Sequence, residues 1–472
     1  MRVRSCRDAC REPQRLEPSM PGNDVPTAVR EQYEELPYPL RDPRDEERRL
    51  IHTIGSNLVV VNHFCFKGRM DFRTGFRCLV AGGGTGDGLI YLAEQLRDFD
   101  AEIIYLDMSV ASRRVAEERA RVRGLSNITW VTGAIEDMQK LDLGEFDLIH
   151  CTGVLHHLES TENGLQDLAA ALNEHGSMLL MLYGKYARRP VYDMQALLRA
   201  YLPEGIGRRE KIEKVRQLID CLPETNWFRR DLANWGHEIS PGGNGDPGLY
   251  DLLLHACDQA FDVPGLYALA GSAGLHIQGF PVGSERYNPF SAIQDEAVRE
   301  QFERMDLPMQ QATAELLHCD ISRHEFYVGR GTDSVASLDD EDNALLMFWK
   351  MYGKHRQLAD AMLPGKVFTL QVDHHQIRIN CSEILKHLFA CMDGQIPLHE
   401  MYERVHQALP MASREAIRAE LKGIYTVMHE RGLLYLVMAG NLATGLPDYD
   451  RLNQVPGGDS AGVDPNTLKI DP

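Results

Sequence analysis

The sequence predicts an α/β protein in which a Rossmann-like parallel-sheet domain is followed by a smaller helical, winged-helix-like domain. Three observations carry that expectation. Between about Arg77 and Tyr183, short apolar runs alternate with amphipathic segments, the pattern of strands and crossover helices. A glycine-rich turn, Gly82-Gly83-Gly84-Thr85-Gly86, stands where the first apolar run hands over to a helix. Past a polar, acidic stretch at Thr332 to Asn343, the order changes to helices around a pair of short alternating runs. A chain of 472 residues has room for both domains, because single cores stop growing near roughly 250 to 300 residues.

The first twenty-odd residues mix Arg2, Arg4, Arg7 and Arg11 with Asp8, Glu12 and Glu17 and lack the apolar centre of a secretory signal. Residues 1–27 are expected to be a disordered tail. Five strands are expected at Cys78 to Ala81, Glu102 to Leu106, Ile128 to Val131, Phe146 to Cys151 and Ser177 to Tyr183. The helix after the second has Ser109 as its cap, Glu117 four residues before Arg121, and Gly124 as a left-handed stop. Tyr192 to Leu222 is expected to be helical, and Ile239 to Gly248, rich in Gly and Pro, to be a mobile loop able to act as a lid. Helical periodicity resumes over Tyr250 to Ala273, and His276 to Val282 reads as a late strand completing the sheet. Residues 291–331 are expected as a helical extension, 332–344 as a linker and 345–445 as the winged-helix-like accessory domain. That domain comprises a helical stretch, strands at Val367 to Val372 and Gln376 to Ile379 joined by a His374-His375 turn, three helices up to Gly432, and Leu433 to Met438 closing a wing. Residues 446–472 are expected to be a second disordered tail.

Composition narrows the function. The net charge is −19, whereas phosphate backbones are held by clustered Lys and Arg, so a nucleic-acid partner is disfavoured. The accessory helices mix Glu400, Glu403 and Glu415 with their basic residues, which favours contact with protein over DNA. No apolar run reaches the length of a membrane span. Ten scattered cysteines without a Cys-x-x-Cys pair signal neither structural zinc nor a dithiol motif and suit a reduced, cytoplasmic protein.

The spacing of the glycines selects a ligand. A dinucleotide fingerprint counted from Gly82 puts its third glycine on Asp87, whose carboxylate would repel phosphate. A phosphate-cradling loop needs a Gly-Lys pair that is absent from the turn. Gly82, Gly84 and Gly86 in a Gly-x-Gly-x-Gly pattern suit a ligand without phosphates whose tail lies flat on bare backbone, and S-adenosyl-L-methionine is such a ligand. Asp107 follows the second strand, where a carboxylate accepts hydrogen bonds from ribose hydroxyls. Ile135 and Glu136, after the third strand, are placed at an adenine edge, although a plain acidic turn explains them as well.

These residues resemble class I S-adenosylmethionine-dependent methyltransferases. Gly82 to Gly86 matches that family's glycine loop, Asp107 its ribose acid and Ala134 to Asp137 its adenine turn. Phe146-Asp147-Leu148-Ile149-His150-Cys151-Thr152-Gly153-Val154-Leu155-His156-His157-Leu158 is similar to its fourth-strand motif, which adds Cys151 to the cofactor candidates. Val80 and Ala134 depart from it where many members carry polar side chains, so the amine and adenine contacts fall to backbone. Gln32 to Pro39 is similar to an N-terminal motif of a bacterial subgroup, in which it helps cover the cofactor. The resemblance implies a methyltransferase domain with an N-terminal cap over residues 28–290, a methyl acceptor that is a small molecule or a protein or peptide, and a protein partner for the accessory domain.

Methyl transfer to nitrogen or oxygen gains from a base, and His157, then His156, are the candidates, with shaping of the pocket as the alternative role. Tyr38, Tyr183, Asp251 and His255 are candidates for the acceptor pocket. Asp251 and His255 stand four apart on an expected helix, half of a metal site, but no third ligand is apparent and no metal is expected. Two rival functions are an adapter that binds the cofactor without turnover and acts through the accessory domain, and an oxidoreductase, which the glycine spacing disfavours.

Overall fold

The computed structural model describes residues 25–348, 351–372, 375–441 and 469–471. Most of the two expected tails, and His374 of the expected turn, lie outside the described residues. Where the tails are described they are ordered: helix α1 (Val25–Glu35) includes the end of the first, and Lys469–Asp471 of the second forms a strand.

After α1 comes α2 (Leu58–Cys65), whose residues are all buried, the polar Asn62 and His63 making hydrogen bonds to backbone. The five expected strands then appear in order: β1 (Thr74–Ala81), β2 (Asp100–Asp107), β3 (Ile128–Thr132), β4 (Phe146–Thr152) and β5 (Leu172–Gly184). Helices α3 (Asp87–Gln95), α4 (Val110–Arg123), α5 (Met138–Leu141) and α6 (Thr161–Ala170) connect them. All five strands are parallel. Side chains alternate across the sheet: Leu79 and Ala81 of β1 enter one apolar cluster, and Cys78 and Val80 the other. In α4, Ser109 caps the helix and Gly124 ends it at φ 66°, but Glu117 pairs with Arg113 and Arg121 with Glu118. Arg113 also donates to Thr132 Oγ1, so Glu117 is paired one turn earlier than expected and Arg121 takes Glu118.

The expected helical stretch over 192–222 comprises two helices, α7 (Arg189–Tyr201) and α8 (Arg208–Cys221). Next come α9 (Trp227–Arg230), α10 (Leu232–Ile239) and α11 (Gly245–Leu254). The expected mobile loop at 239–248 is therefore a tight corner between two helices, closed by Asn244 N–H to His237 O at 2.8 Å and Gly245 N–H to Ser240 O at 3.0 Å. The expected helix over 250–273 breaks after Leu254, passes through β6 (Ala260–Phe261) and resumes as α12 (Val263–Ser272). The late strand is β7 (His276–Gly279), followed by α13 (Pro289–Ala292), α14 (Glu296–Glu303) and α15 (Leu307–His318).

The expected helical extension is corrected by β8 (Arg323–Gly329), which lies inside the sheet, antiparallel to both β5 and β7. The strand order is β3-β2-β1-β4-β5-β8-β7, with β6 paired to β5. The sheet thus closes about forty residues later along the chain than expected.

The expected linker is strapped along α2. Ser334 Oγ donates to Phe64 O at 2.9 Å, Ala336 N–H to His63 O at 2.7 Å, and Lys67 N–H to Ser334 O at 2.7 Å. It leads into β9 (Asn343–Met347), α16 (His355–Ala361), the hairpin β10 (Val367–Val372) and β11 (His375–Asn380), α17 (Glu383–Phe389), β12 (Asp393–Pro397), α18 (Leu398–Ala408), α19 (Arg414–His429) and β13 (Leu434–Met438). β13 does not close a wing against the hairpin, because it pairs with β9, whose other edge holds β12. The hairpin takes β14 (Lys469–Asp471) on β10 instead. Leu346, Phe348, Tyr435 and Val437 pack into the same cluster as Leu58 to Val61, so α2 is shared between the large sheet and the C-terminal one.

Candidate functional site

At the carboxyl ends of β1 and β4 the strand order reverses, which is where open α/β sheets leave a crevice. A cavity of about 560 Å³ opens there, within the range of small-molecule sites. Gly82 and Gly84 line it at φ 66° and 51°. Added Cβ atoms would stand 2.4 Å from the Val154 side chain and 2.9 Å from the Tyr38 carbonyl oxygen. Gly86 is a left-handed turn residue at the start of α3, packed toward Ala116 and outside the cavity wall.

Asp107, at the end of β2, accepts Gly84 N–H and Ser109 N–H, each at 2.8 Å. Burial first, and the negative charge of Glu34 with it, raise its carboxyl to about 6 against the pull of those two bonds. Ile135 and Glu136 line the far end of the cavity. Cys151 does not reach it: it is buried in the core on the opposite face of β4, while its neighbours His150 and Thr152 line the wall. The strand period of two decides which side chains of that motif can face a ligand.

One wall comes from the chain's N-terminal end. Glu34 caps α4, accepting Val110 N–H at 2.6 Å and Ala111 N–H at 3.1 Å. Beyond it the strap 36–41, with a cis Tyr38–Pro39 bond, crosses the glycine turn. Thr85 donates its N–H to Tyr38 O at 3.3 Å and its hydroxyl to Pro39 O at 2.7 Å. Arg41 then grips Asp87 at 2.6 and 2.9 Å, and Arg119 holds the same carboxylate at 2.8 Å. Burial opposes ionisation of Asp87, but the two guanidinium groups outweigh it and hold the carboxyl below its ordinary range. With Asp87 neutralised in this way, disfavour for a dinucleotide rests on the glycine spacing and not on its charge.

The remaining wall is polar and aromatic. Tyr38 donates to Glu238 at 3.0 Å, and Tyr183 to Asp251 at 3.2 Å. Tyr33 donates to Asp251 at 2.8 Å and lies 3.2 Å from His255 Nε2. Arg188 lies 3.4 Å above the Tyr183 ring and pairs with Asp258. His157 lines the cavity, and its Nδ1 lies 2.7 Å from Cys257 O. His156 does not line it: the ring is fully buried against Tyr183, and burial, followed by the neighbouring His157 and Arg188 charges, holds it far below the ordinary imidazole range. His255 ends α11 as its C-cap, outside the lining, and Tyr33 links it to Asp251. Thus Tyr38, Tyr183, Asp251 and His157 gather at one place, with His255 just behind it, and His156, Cys151 and Gly86 are set apart.

Sequence reasoning missed Tyr33, Arg41, Arg188 and Glu238. Tyr33 lay within the quoted N-terminal motif, and an Arg two residues past Pro39 with an acid opening α3 was the available signal for Arg41. His157 supplies the third group beside Asp251 and His255 that the sequence did not reveal: donor atoms of the three lie within 4.8 Å of one another.

Comparison with known proteins agrees with this geometry. Residues 79–178 match the family model described as a methyltransferase domain. The chain is 29% identical over 273 residues to Uncharacterized protein syc1184_c of Synechococcus, over 57% of this chain and 64% of that one, so it spans less than two thirds of that relative. It is 25% identical over 192 residues to the mitochondrial ubiquinone biosynthesis O-methyltransferase of Schizosaccharomyces pombe, over 40% of this chain and 68% of that one. PKMT2 from Rickettsia typhi shares the fold at TM-score 0.57 and 13% identity, over 82% of this chain and 76% of that one. The crevice therefore lies in a Rossmann-like fold whose residues 79–178 match a methyltransferase domain, and that match, with the structure of PKMT2 in complex with AdoHcy, supports S-adenosylmethionine as the cofactor. The bare turn, the carboxylate one strand away and the cavity volume all fit that group.

Gly84→Val tests the fit. The branched side chain at φ 51° has the Tyr38 carbonyl in its way, so calorimetry is expected to show at least about a tenfold loss of cofactor affinity, and unchanged affinity would separate the strap and turn from the site.

Proposed function

We propose that the chain transfers the methyl group of S-adenosylmethionine to a nitrogen or oxygen acceptor, a small molecule or a protein or peptide, with His157 as general base. In this reading the backbone at Gly82 and Gly84 receives the methionine portion, Asp107 the ribose hydroxyls, and Ile135 and Glu136 the adenine. The acceptor enters between Tyr38, Tyr183 and Asp251. The bound cofactor supplies a methyl carbon whose leaving group is a neutral thioether, so the chain has three tasks: to align, to exclude water and to take a proton.

The tautomer of His157 carries the proposal. A carbonyl oxygen only accepts, so the 2.7 Å contact with Cys257 O fixes the ring proton on Nδ1. Nε2 is left with its lone pair at the cavity wall. It takes the acceptor's proton as the acceptor's own electron pair forms the bond to the methyl carbon. The strap of residues 36–41 supports the exclusion of water, since it covers the turn from the solvent side. We place the reaction in the cytoplasm, which the eight described cysteines support by all being unpaired. We also read residues 345–445 as a winged-helix-like module for protein contact, on the hairpin of β10 and β11 and the helices α17 to α19.

Two measurements check this reading. Affinity for the cofactor should be full above pH 7 and fall as pH drops through about 6, because protonation of Asp107 removes an acceptor for ribose; Asp107→Asn should flatten that dependence, and Asp107→Ala should cost about 1 to 3 kcal/mol. An affinity independent of both pH and Asp107 would refute the assigned ribose contact. His157→Gln should lower label transfer from methyl-tritiated cofactor to a host lysate by about a hundredfold or more with cofactor binding retained; undiminished transfer would remove His157 from the reaction.

A further inference from the structure

The peptide groups of a single residue, Cys257, set the protonation of both histidines at the acceptor end. Its carbonyl accepts from His157 Nδ1, and its N–H donates to His255 Nδ1 at 3.1 Å. A peptide N–H can only donate, so neutral His255 carries its proton on Nε2. That nitrogen lies 3.2 Å from the Tyr33 hydroxyl, and Tyr33 donates its own proton to Asp251 at 2.8 Å. Every member of this chain thus has one direction only: His255 Nε2–H to Tyr33, Tyr33 O–H to Asp251. Tyr183 donates to the other oxygen of the same carboxylate at 3.2 Å. The His157 and His255 rings stack with centroids 3.7 Å apart at 26°.

A His-Asp-His cluster of this size suggests a metal site, since three protein ligands and an open position suit zinc. The tautomers argue otherwise, because His255 Nδ1 already accepts the Cys257 N–H and its Nε2 carries a proton toward Tyr33, so neither ring nitrogen offers a free lone pair to a cation. The geometry points instead to a positioning device, and we propose that His255 and Tyr33 fix Asp251 beside His157, so that α1 completes the proton-transfer site. This rests on the reading of His157 as base.

The step is a proton transfer with no redox change. The acceptor's N–H or O–H bond breaks, its electron pair stays on the acceptor, and a bond from His157 Nε2 to hydrogen forms. The new imidazolium lies near the Asp251 carboxylate, which two phenols hold in place. His255 stays neutral at its back, so no second cation opposes the charge. The other titratable groups around the pair are His156 on its own turn, Tyr183 of β5, Arg188 before α7, Asp258 after α11, Glu238 of α10 and Tyr38 of the strap. Arg188 is matched by Asp258, and a carboxylate oxygen of Asp251 lies within 4.8 Å of a ring nitrogen of His157.

The test uses the full-length protein labelled with ¹⁵N-histidine, assigned with His157→Gln and His255→Gln. At pH 8 the expected tautomers are Nδ1–H for His157 and Nε2–H for His255, and the opposite tautomer at either ring overturns the proposal. Calorimetry with zinc chloride should show no site that both variants abolish; a tight site lost in both would make this a metal centre. Tyr33→Phe should lower label transfer at saturating cofactor by about tenfold, leave cofactor affinity within about twofold, and move the acidic limb of the pH–rate profile by about half a unit or more. An unchanged rate and profile would leave Tyr33 a purely structural residue. Full transfer by His157→Gln with the expected tautomers would instead locate the failure in the base assignment.

Discussion

Asp87 opens α3 at the glycine turn, and its carboxylate is the fastening on which the cofactor site depends. A carboxylate suits a helix N-terminus, but burying one costs several kcal/mol unless it is paired and hydrogen-bonded. Arg119 of α4 meets it from below and Arg41 of the strap from outside. Arg41 also donates to Asn244, which donates to Glu238, the acceptor of Tyr38. One charge therefore ties the turn, the strap and the corner between α10 and α11 together. The glycines leave no side chain in the space that the strap covers, and the strap needs the glycines in order to lie so close.

The same economy governs the acceptor end. The polypeptide at residue 257 donates to one imidazole and accepts from another, so two adjacent histidines take different tautomers without any further side chain. His156, the sequence neighbour of His157, is set apart for a different reason, because its ring is sealed against Tyr183. Adjacent identical residues thus meet different surroundings, one a peptide carbonyl and the other a covering ring, that no motif encodes.

What was legible in the sequence follows from the range of the interaction that fixes each feature. Strands β1 to β5, the Ser109 cap and the Gly124 stop depend on local periodicity and on backbone angles, and the sequence showed them. The site residues Gly82, Gly84, Asp107 and His157 lie at strand ends, where the motif order places them. β8 was hidden because its apolar run is only Phe326 to Val328, preceded by Arg323, His324 and Glu325, in a strand buried between β5 and β7. His324 is satisfied by Tyr287 and Phe261 O, partners 37 and 63 residues away. Cys151 was misplaced because a motif fixes order and not the face of the strand. The acidic stretch 332–343 read as a free linker because its hydrogen bonds run to the backbone of α2, some 270 residues earlier. Tyr33 and Arg41 were missed for the same reason: their partners, Asp251 and Asp87, lie 218 and 46 residues along the chain.

That the N-terminal strap is a wall of the cofactor site, and not a neighbour of it, is the claim on which the rest hangs. Hydrogen exchange of the whole chain with and without S-adenosylhomocysteine tests it most directly. Residues 33–41, 82–88 and 107–111 are expected to gain protection together and over the same range of ligand concentration. Protection confined to the turn and the end of β2, with 33–41 exchanging as before, would contradict it.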